Sequence, residues 1–258
     1  MAHQHLFPSA LRLYQQCPKR YYFEYIERRH TPTTPALFIG DRVHKALEEV
    51  YELPQEERTL EKLQDLLRHA WGAPLPRVMT ARDEAFSDTE EEKQAGQEGL
   101  ALLKNFFQNK RYFWREPMLR EKLLTWDTAD GYYFGAKVDR VDQKEDGTLE
   151  IIDYKTGQVP DKKRIEINAD FQIALPMQYL AVQNNYDQRI TRVAGYFLRE
   201  NTFIEYEINP ENLRQAKELI RQLADRIKDD QEYLPQRSAL CHYCPFEEEC
   251  LVPKEVPF

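Results

Sequence analysis

The chain is poor in the residues that mark several large classes of protein. Nine glycines in 258 residues exclude a collagen-like repeat, which needs glycine at every third position. Four cysteines are too few to be the disulfide scaffold of a chain this long. No stretch approaches the roughly 18 consecutive apolar residues of a membrane-spanning helix. The first residues lack a basic segment followed by an apolar run, so no signal peptide is expected. Positive charge is in deficit: 36 Lys and Arg face 44 Asp and Glu, for a net charge of -8 and a pI near 5.4. That excludes a globally basic nucleic-acid coat, but not a local basic groove. A Walker A loop (Gly-x4-Gly-Lys-Ser/Thr) is also missing. The expectation is a soluble cytoplasmic protein, where reduced cysteines serve as metal ligands, catalytic groups or core residues.

What is present suits a folded enzyme-sized domain. Hydrophobic residues make up 41% and aromatics 12%, too many for a disordered chain. Helical periodicity predicts helices over about 9–28, 38–52, 59–71, 90–110, 170–184 and 210–230, with Pro18 bending or interrupting the first. The acidic run Asp88, Glu90, Glu91, Glu92 reads as a solvated helix start. Alternating patterns predict strands over 118–127, 132–142, 148–155, 191–199 and 202–208. This order implies a mixed α/β domain built around one small sheet, with helical additions in front.

The chemistry concentrates on one hairpin. Asp153 and Lys155 share a strand face with Leu149 and Ile151, which puts charges at the end of an apolar face. Such charges are costly unless they are paired or bind metal. A three-residue loop, Glu145-Asp146-Gly147, with Gly147 left-handed, sets Asp139 opposite Asp153. A two-residue turn would misalign them. In the three-residue register two carboxylates meet beside Lys155, an oxygen-rich place for Mg²⁺ or Mn²⁺. There a metal could activate water, and Lys155 could orient it or neutralise developing charge. The bland alternative is an edge hairpin of solvated charges.

Gly135-x3-Asp139-Arg140, Ile152-Asp153-Tyr154-Lys155-Thr156-Gly157 and Gly40-x3-His44-x2-Leu47-Glu48 together resemble the PD-(D/E)xK nuclease superfamily, in its RecB-like branch. Nuclease domains of RecB and AddB, and CRISPR-associated iron–sulfur exonucleases, are of this kind. The resemblance spans Ser9 to Cys250 and implies an α/β, restriction-endonuclease-like fold: a mixed sheet core flanked by helices, with the N-terminal helical region and the C-terminal cysteine tail joined by a metal cluster. It implies His44, Asp139, Asp153 and the Tyr154 carbonyl as metal ligands, and Lys155 as the catalytic lysine. It also implies a single nuclease domain: a first helix (1–35), a helical region (36–117), a catalytic core (118–208) and a helix with a cysteine tail (209–258).

The branch's Gln-x3-Tyr motif is broken here, because Pro176 follows Gln172 by four and Gln178 adjoins Tyr179. Gln172 or Gln178, with Tyr179, is expected to face the site. Cys241-x2-Cys244-x5-Cys250 closes the chain, and Cys17 stands alone near its start. By spacing these suit zinc or an iron–sulfur cluster. The two-ended placement resembles the four-cysteine cluster nucleases, which implies a structural 4Fe–4S cluster, with His242 a minor alternative ligand. Arg12, Lys19, Arg20, Arg140, Lys162, Lys163 and Arg164 are candidate phosphate contacts, and Tyr21 a candidate base-stacking residue.

The reading is a metal-dependent DNA nuclease acting on single-stranded ends, in recombination and repair or in CRISPR spacer processing. Helicase or CRISPR adaptation proteins are the expected partners. The competing reading is a DNA-binding or assembly subunit that keeps the fold without cutting.

Overall fold

The computed structural model describes residues 5–73, 82–161 and 169–250. Lys162, Lys163 and Arg164 lie outside the described residues. Five strands form one mixed sheet in chain order: β1 (Leu119–Asp127), β2 (Tyr133–Gln143), β3 (Leu149–Lys155), β4 (Ile190–Phe197) and β5 (Thr202–Glu205). All neighbours are antiparallel except β3 and β4.

The principal helices are α1 (Pro8–Gln16), α2 (Pro35–Glu49), α3 (Leu60–Gly72), α4 (Thr89–Gln108), α5 (Leu175–Asn185) and α6 (Pro210–Asp229). The parallel step from β3 to β4 is made through α5, as parallel pairing requires a long connection. One core cluster gathers residues of α1, α5 and α6 with β2 to β4; a second gathers α2, α3 and α4 with Ile152, Tyr154 and Tyr196. Among the described residues, no helix is long and apolar enough to cross a membrane.

Local chemistry explains the boundaries. Thr34, Thr59, Asp88 and Asn209 cap α2, α3, α4 and α6 with side-chain oxygens. The acidic run is the first turn of α4, where carboxylates complement the helix dipole. The predicted first helix breaks at Cys17, which is extended at φ -162, because Pro18 cannot continue it. A short turn at Pro18–Tyr21 and a π-helical turn at Tyr22–Ile26 follow.

Two features of the sheet build the site. Gly147 is left-handed at φ +79, and Gly147 N donates to the Lys144 carbonyl at 2.9 Å. The β2–β3 ladder then runs from Gln143↔Leu149 to Arg140↔Ile152, the register that brings Asp139 level with Asp153. Beyond Arg140 the two strands part: β2 continues along β1, and β3 along β4. Residues before α1 fill the freed edge of β2, where Leu6 N donates to the Tyr133 carbonyl and Gly135 N to the Leu6 carbonyl. The sheet therefore forks at Asp139.

Candidate metal and catalytic centre

At the fork, Asp139 Oδ2 accepts from Tyr154 N at 2.8 Å, satisfying an amide that has lost its strand partner. Glu121 falls between the pairs Arg120↔Arg140 and Lys122↔Val138, level with Asp139 on β1. Its backbone is left-handed at φ +45, strain of the kind that collects at functional sites. From α2, His44 reaches across: Nδ1 lies 3.0 Å from Glu121 Oε1 and 3.5 Å from Asp139 Oδ1, and Nε2 lies 3.2 Å from the Tyr154 carbonyl. Donor atoms of His44, Glu121 and Asp139 all lie within 4.8 Å of one another.

The charges explain one another. Both His44 nitrogens face acceptors only, which calls for the imidazolium form. Burial opposes that charge, but Asp139 and Glu121 outweigh it and raise the His44 pKa well above 6.5. Burial also pushes Glu121 up, yet His44 and Lys137 pull it down to about 2. Asp139 is raised, chiefly by burial and further by Asp153, with His44 opposing.

Lys155 sits on the other side of the fork. Its Nζ is 2.7 Å from Asp153 Oδ2 and 3.2 Å from Asp170 Oδ2. Burial would lower its pKa, but Asp153 and Asp170 more than offset this and raise it, so the amine is an ammonium. Asp170 Oδ1 in turn accepts from Arg12 at 2.5 Å, and Asp153 Oδ1 accepts from Gln178 Nε2 at 2.6 Å.

The expected ligands thus converge, with two changes. Glu121 joins the closest group, and Asp153 turns toward Lys155 and Gln178. The sequence carried little signal for Glu121: it is one charge among several in Leu119–Arg120–Glu121–Lys122, and only cross-strand register reveals it. Oxygen donors with one imidazole suit a hard divalent cation. Glu121 Oε2 and Asp153 Oδ2 are buried, and each meets a single lysine ammonium, which leaves lone pairs unused. Those oxygens have the acceptor capacity that such an ion would use.

The helix after β3 settles which glutamine points inward. It opens with a π-helical turn, Asp170–Ala174, which shifts the phase of everything after it. Ala174 and Gln178, four residues apart, line the cleft beside Asp153 and Lys155. Gln172 is half-buried within the π turn and does not line the cleft. Tyr179 is buried in the core, where its hydroxyl accepts from Gln183.

Two expected DNA contacts are corrected. Arg140 is 1% exposed, on the strand face opposite Asp139. Its guanidinium donates to Asp142, to the Tyr51 hydroxyl and to the Arg115 carbonyl, so it cannot meet a phosphate. Tyr21 is 2% exposed and packs on Tyr14, Tyr25 and Tyr233 rather than offering a free face. Arg12 remains at the cleft. Lys19 lies over the rings of Tyr22 and Phe23, and Arg20 pairs with Glu24 at 2.7 Å.

The second constellation is the cysteines. Cys17, Cys241, Cys244 and Cys250 are all free thiols and line one small cavity of about 50 Å³, with Arg20, Phe23 and Phe246 among its walls. Gln236 N and Ser238 N donate to Cys17 Sγ and Cys241 Sγ at 3.5 and 3.4 Å. Four thiols on one cavity are a donor set that zinc or an iron–sulfur group could use.

With this geometry in hand, comparison gives the class. The model of the PD-(D/E)XK nuclease superfamily matches residues 5–251, and the chain belongs to that superfamily. Among solved structures, the chain is similar to a protein of Eubacterium rectale provisionally named an exonuclease. The TM-score is 0.56 and the identity 14%, over 98% of this chain and 91% of that one. No curated protein matches the chain by sequence.

Proposed function

We propose that the protein is a metal-dependent deoxyribonuclease of the RecB-like branch that trims single-stranded DNA ends. The observation that carries this is the fork, which sets His44, Glu121, Asp139 and the Tyr154 carbonyl against Asp153 and Lys155. His44, Asp139, Asp153 and the Tyr154 carbonyl, joined by Glu121, would hold Mg²⁺ or Mn²⁺. When bound, such an ion acidifies water and draws off charge from a phosphoryl oxygen.

The chain's own groups do the rest. Lys155 is an ammonium, so it acts by positive charge and hydrogen-bond donation rather than as a base. Asp170 holds that ammonium from one side and Asp153 from the other. Gln178 fixes Asp153 by its amide, and Asp139 keeps β3 in place through Tyr154 N. Arg12, Lys137 and Lys155 supply the local cations that a net charge of -8 conceals.

The four cysteines would hold a 4Fe–4S cluster with a structural role, pinning α1 and the turn after it to the tail. Their shared cavity supports one common inorganic group, and the two-ended placement of the cysteines favours the cluster over zinc by resemblance. Protein purified without oxygen should contain iron and acid-labile sulfide; zinc with no iron would contradict it. The setting is recombination and repair or CRISPR spacer processing, and adjacency to CRISPR adaptation genes would decide between them.

The test is degradation of single-stranded DNA with Mn²⁺ by the parent and by Lys155→Ala. The variant should lose about 10²–10³-fold in rate, the usual cost of removing one preorganised charge-stabilising donor. Equal rates would sink the assignment. DNA binding without cutting by the parent would favour a non-cutting assembly subunit.

A further inference from the structure

The cleft at the fork carries an apolar ledge for which the hydrolytic residues have no use. It has a volume of about 640 Å³ and continues past Asp153 and Lys155 to Leu123, Lys137 and Phe7. Leu123 pairs across the sheet with Lys137, one two-residue step, about 7 Å, along β2 from Asp139. It is 37% exposed on the edge strand β1 and lines the same cleft as Phe7, so the two make one exposed apolar patch. The next step along is Thr125↔Gly135. There the Phe7 ring occupies the space a side chain at 135 would take: a Cβ on Gly135 would lie 2.5 Å from Phe7 Cε1. Gly135 is thus the seat of an aromatic ring in the cleft, and any larger residue would unseat it.

We propose that Phe7 and Leu123 form a stacking ledge for one unpaired nucleobase of the substrate, the nucleotide next to the phosphate held at Lys155. The inference deepens the nuclease reading and rests on it. Charge complementarity selects the occupant. Lys137, which also faces Glu121, and Lys155, held between Asp153 and Asp170, are the cations of the cleft that phosphates would meet, and an apolar surface lies directly beside them. A nucleotide with a free base offers that pairing of anion and flat apolar face. In a duplex the π-faces are already stacked, and only the backbone and groove edges are offered. The ledge therefore makes the cleft specific for a splayed single strand, independent of base identity.

The experiment measures steady-state cleavage with Mn²⁺ of oligothymidylate, and of the same strand carrying one abasic residue at successive positions near its end. Removing a stacked base from such a platform typically costs about tenfold. The parent should show a tenfold rise in KM at one abasic position. Phe7→Ala and Leu123→Ala should show a similar rise on the intact strand, with kcat within twofold. Phe7→Ala should then be indifferent to the abasic residue, and Phe7→Trp should restore the parent's KM.

Unchanged KM in both alanine variants, a loss confined to kcat, or a parent indifferent to every abasic position would overturn the ledge. If Phe7→Ala fails to fold, Leu123→Ala and the abasic series on the parent decide alone. Fluorescence anisotropy of the same strands without added metal separates this inference from the nuclease reading. A parent that binds, discriminates against the abasic strand and yet never cuts would overturn the activity and keep the ledge.

Discussion

The fork and the cysteine cavity are both built from residues far apart in sequence, but they are held in opposite ways. At the fork every charge already has a partner: His44 between Glu121 and Asp139, Lys155 between Asp153 and Asp170, Asp153 on Gln178. Beneath it, Arg140, Asp142, Arg115 and Glu150 form a further buried set of ion pairs. The site is preassembled by β1 to β3, with α2 and α5 on either side. At the cavity, four half-buried thiols from two distant segments face a void, in short turns with little regular structure. A preassembled site needs its ligand for chemistry. On the proposed reading, a site of the second kind would need its cluster to exist.

That contrast predicts different failures. Arg140→Met leaves Asp142 buried with only Arg115 nearby at 3.8 Å, so it should lower the unfolding free energy by about 3 kcal/mol in urea titration. A loss below 1 kcal/mol would show that the network under the fork does not hold it. Cys241→Ser should act on the other region. If the proposed cluster closes the loop from Cys17 to the tail, opening it should cost about 2–4 kcal/mol by analogy with a long-range cross-link. It should also expose α1 and the tail to protease while the β1–β3 core stays resistant. Uniform protection across the chain would break the comparison.

The smallest effect is in pH. In the metal-free protein His44 has a raised pKa, so its stabilisation is fully present below 6.5 and fades as pH rises through the raised value. Glu121 has a depressed pKa, so its contribution is present above 4.5 and is lost as pH falls toward about 2. A metal must displace the His44 proton. Mn²⁺ affinity, read by calorimetry, should therefore rise by up to tenfold per pH unit as pH climbs toward the raised His44 pKa and level off beyond it, and His44→Gln should flatten that slope. An equal slope in both proteins would remove His44 from the ligand set.

Much of this was legible in the sequence where one local signal decided the outcome. Gly147 fixed the hairpin loop, and with it the alignment of Asp139 with Asp153. Pro18 broke the first helix and left Cys17 in the break. Other residues were legible only through partners brought from elsewhere. Glu121 acquires its role from a register shared with Asp139 and from a left-handed backbone at φ +45 that no propensity encodes. Gln178 could not be told from Gln172 because a π turn shifts the helical phase. Arg140 follows Asp139 directly, and strand alternation sends it to the opposite, buried face, where Tyr51 and Asp142 await it.

The central claim is that the fork binds a divalent cation and that this site cuts DNA. Asp139→Asn tests both halves at once, since it keeps the shape of the side chain and removes its charge. The account predicts that the variant keeps the parent's circular dichroism and loses both Mn²⁺ binding and single-strand degradation. A folded Asp139→Asn protein that still degrades DNA at the parent's rate with Mn²⁺ would contradict it.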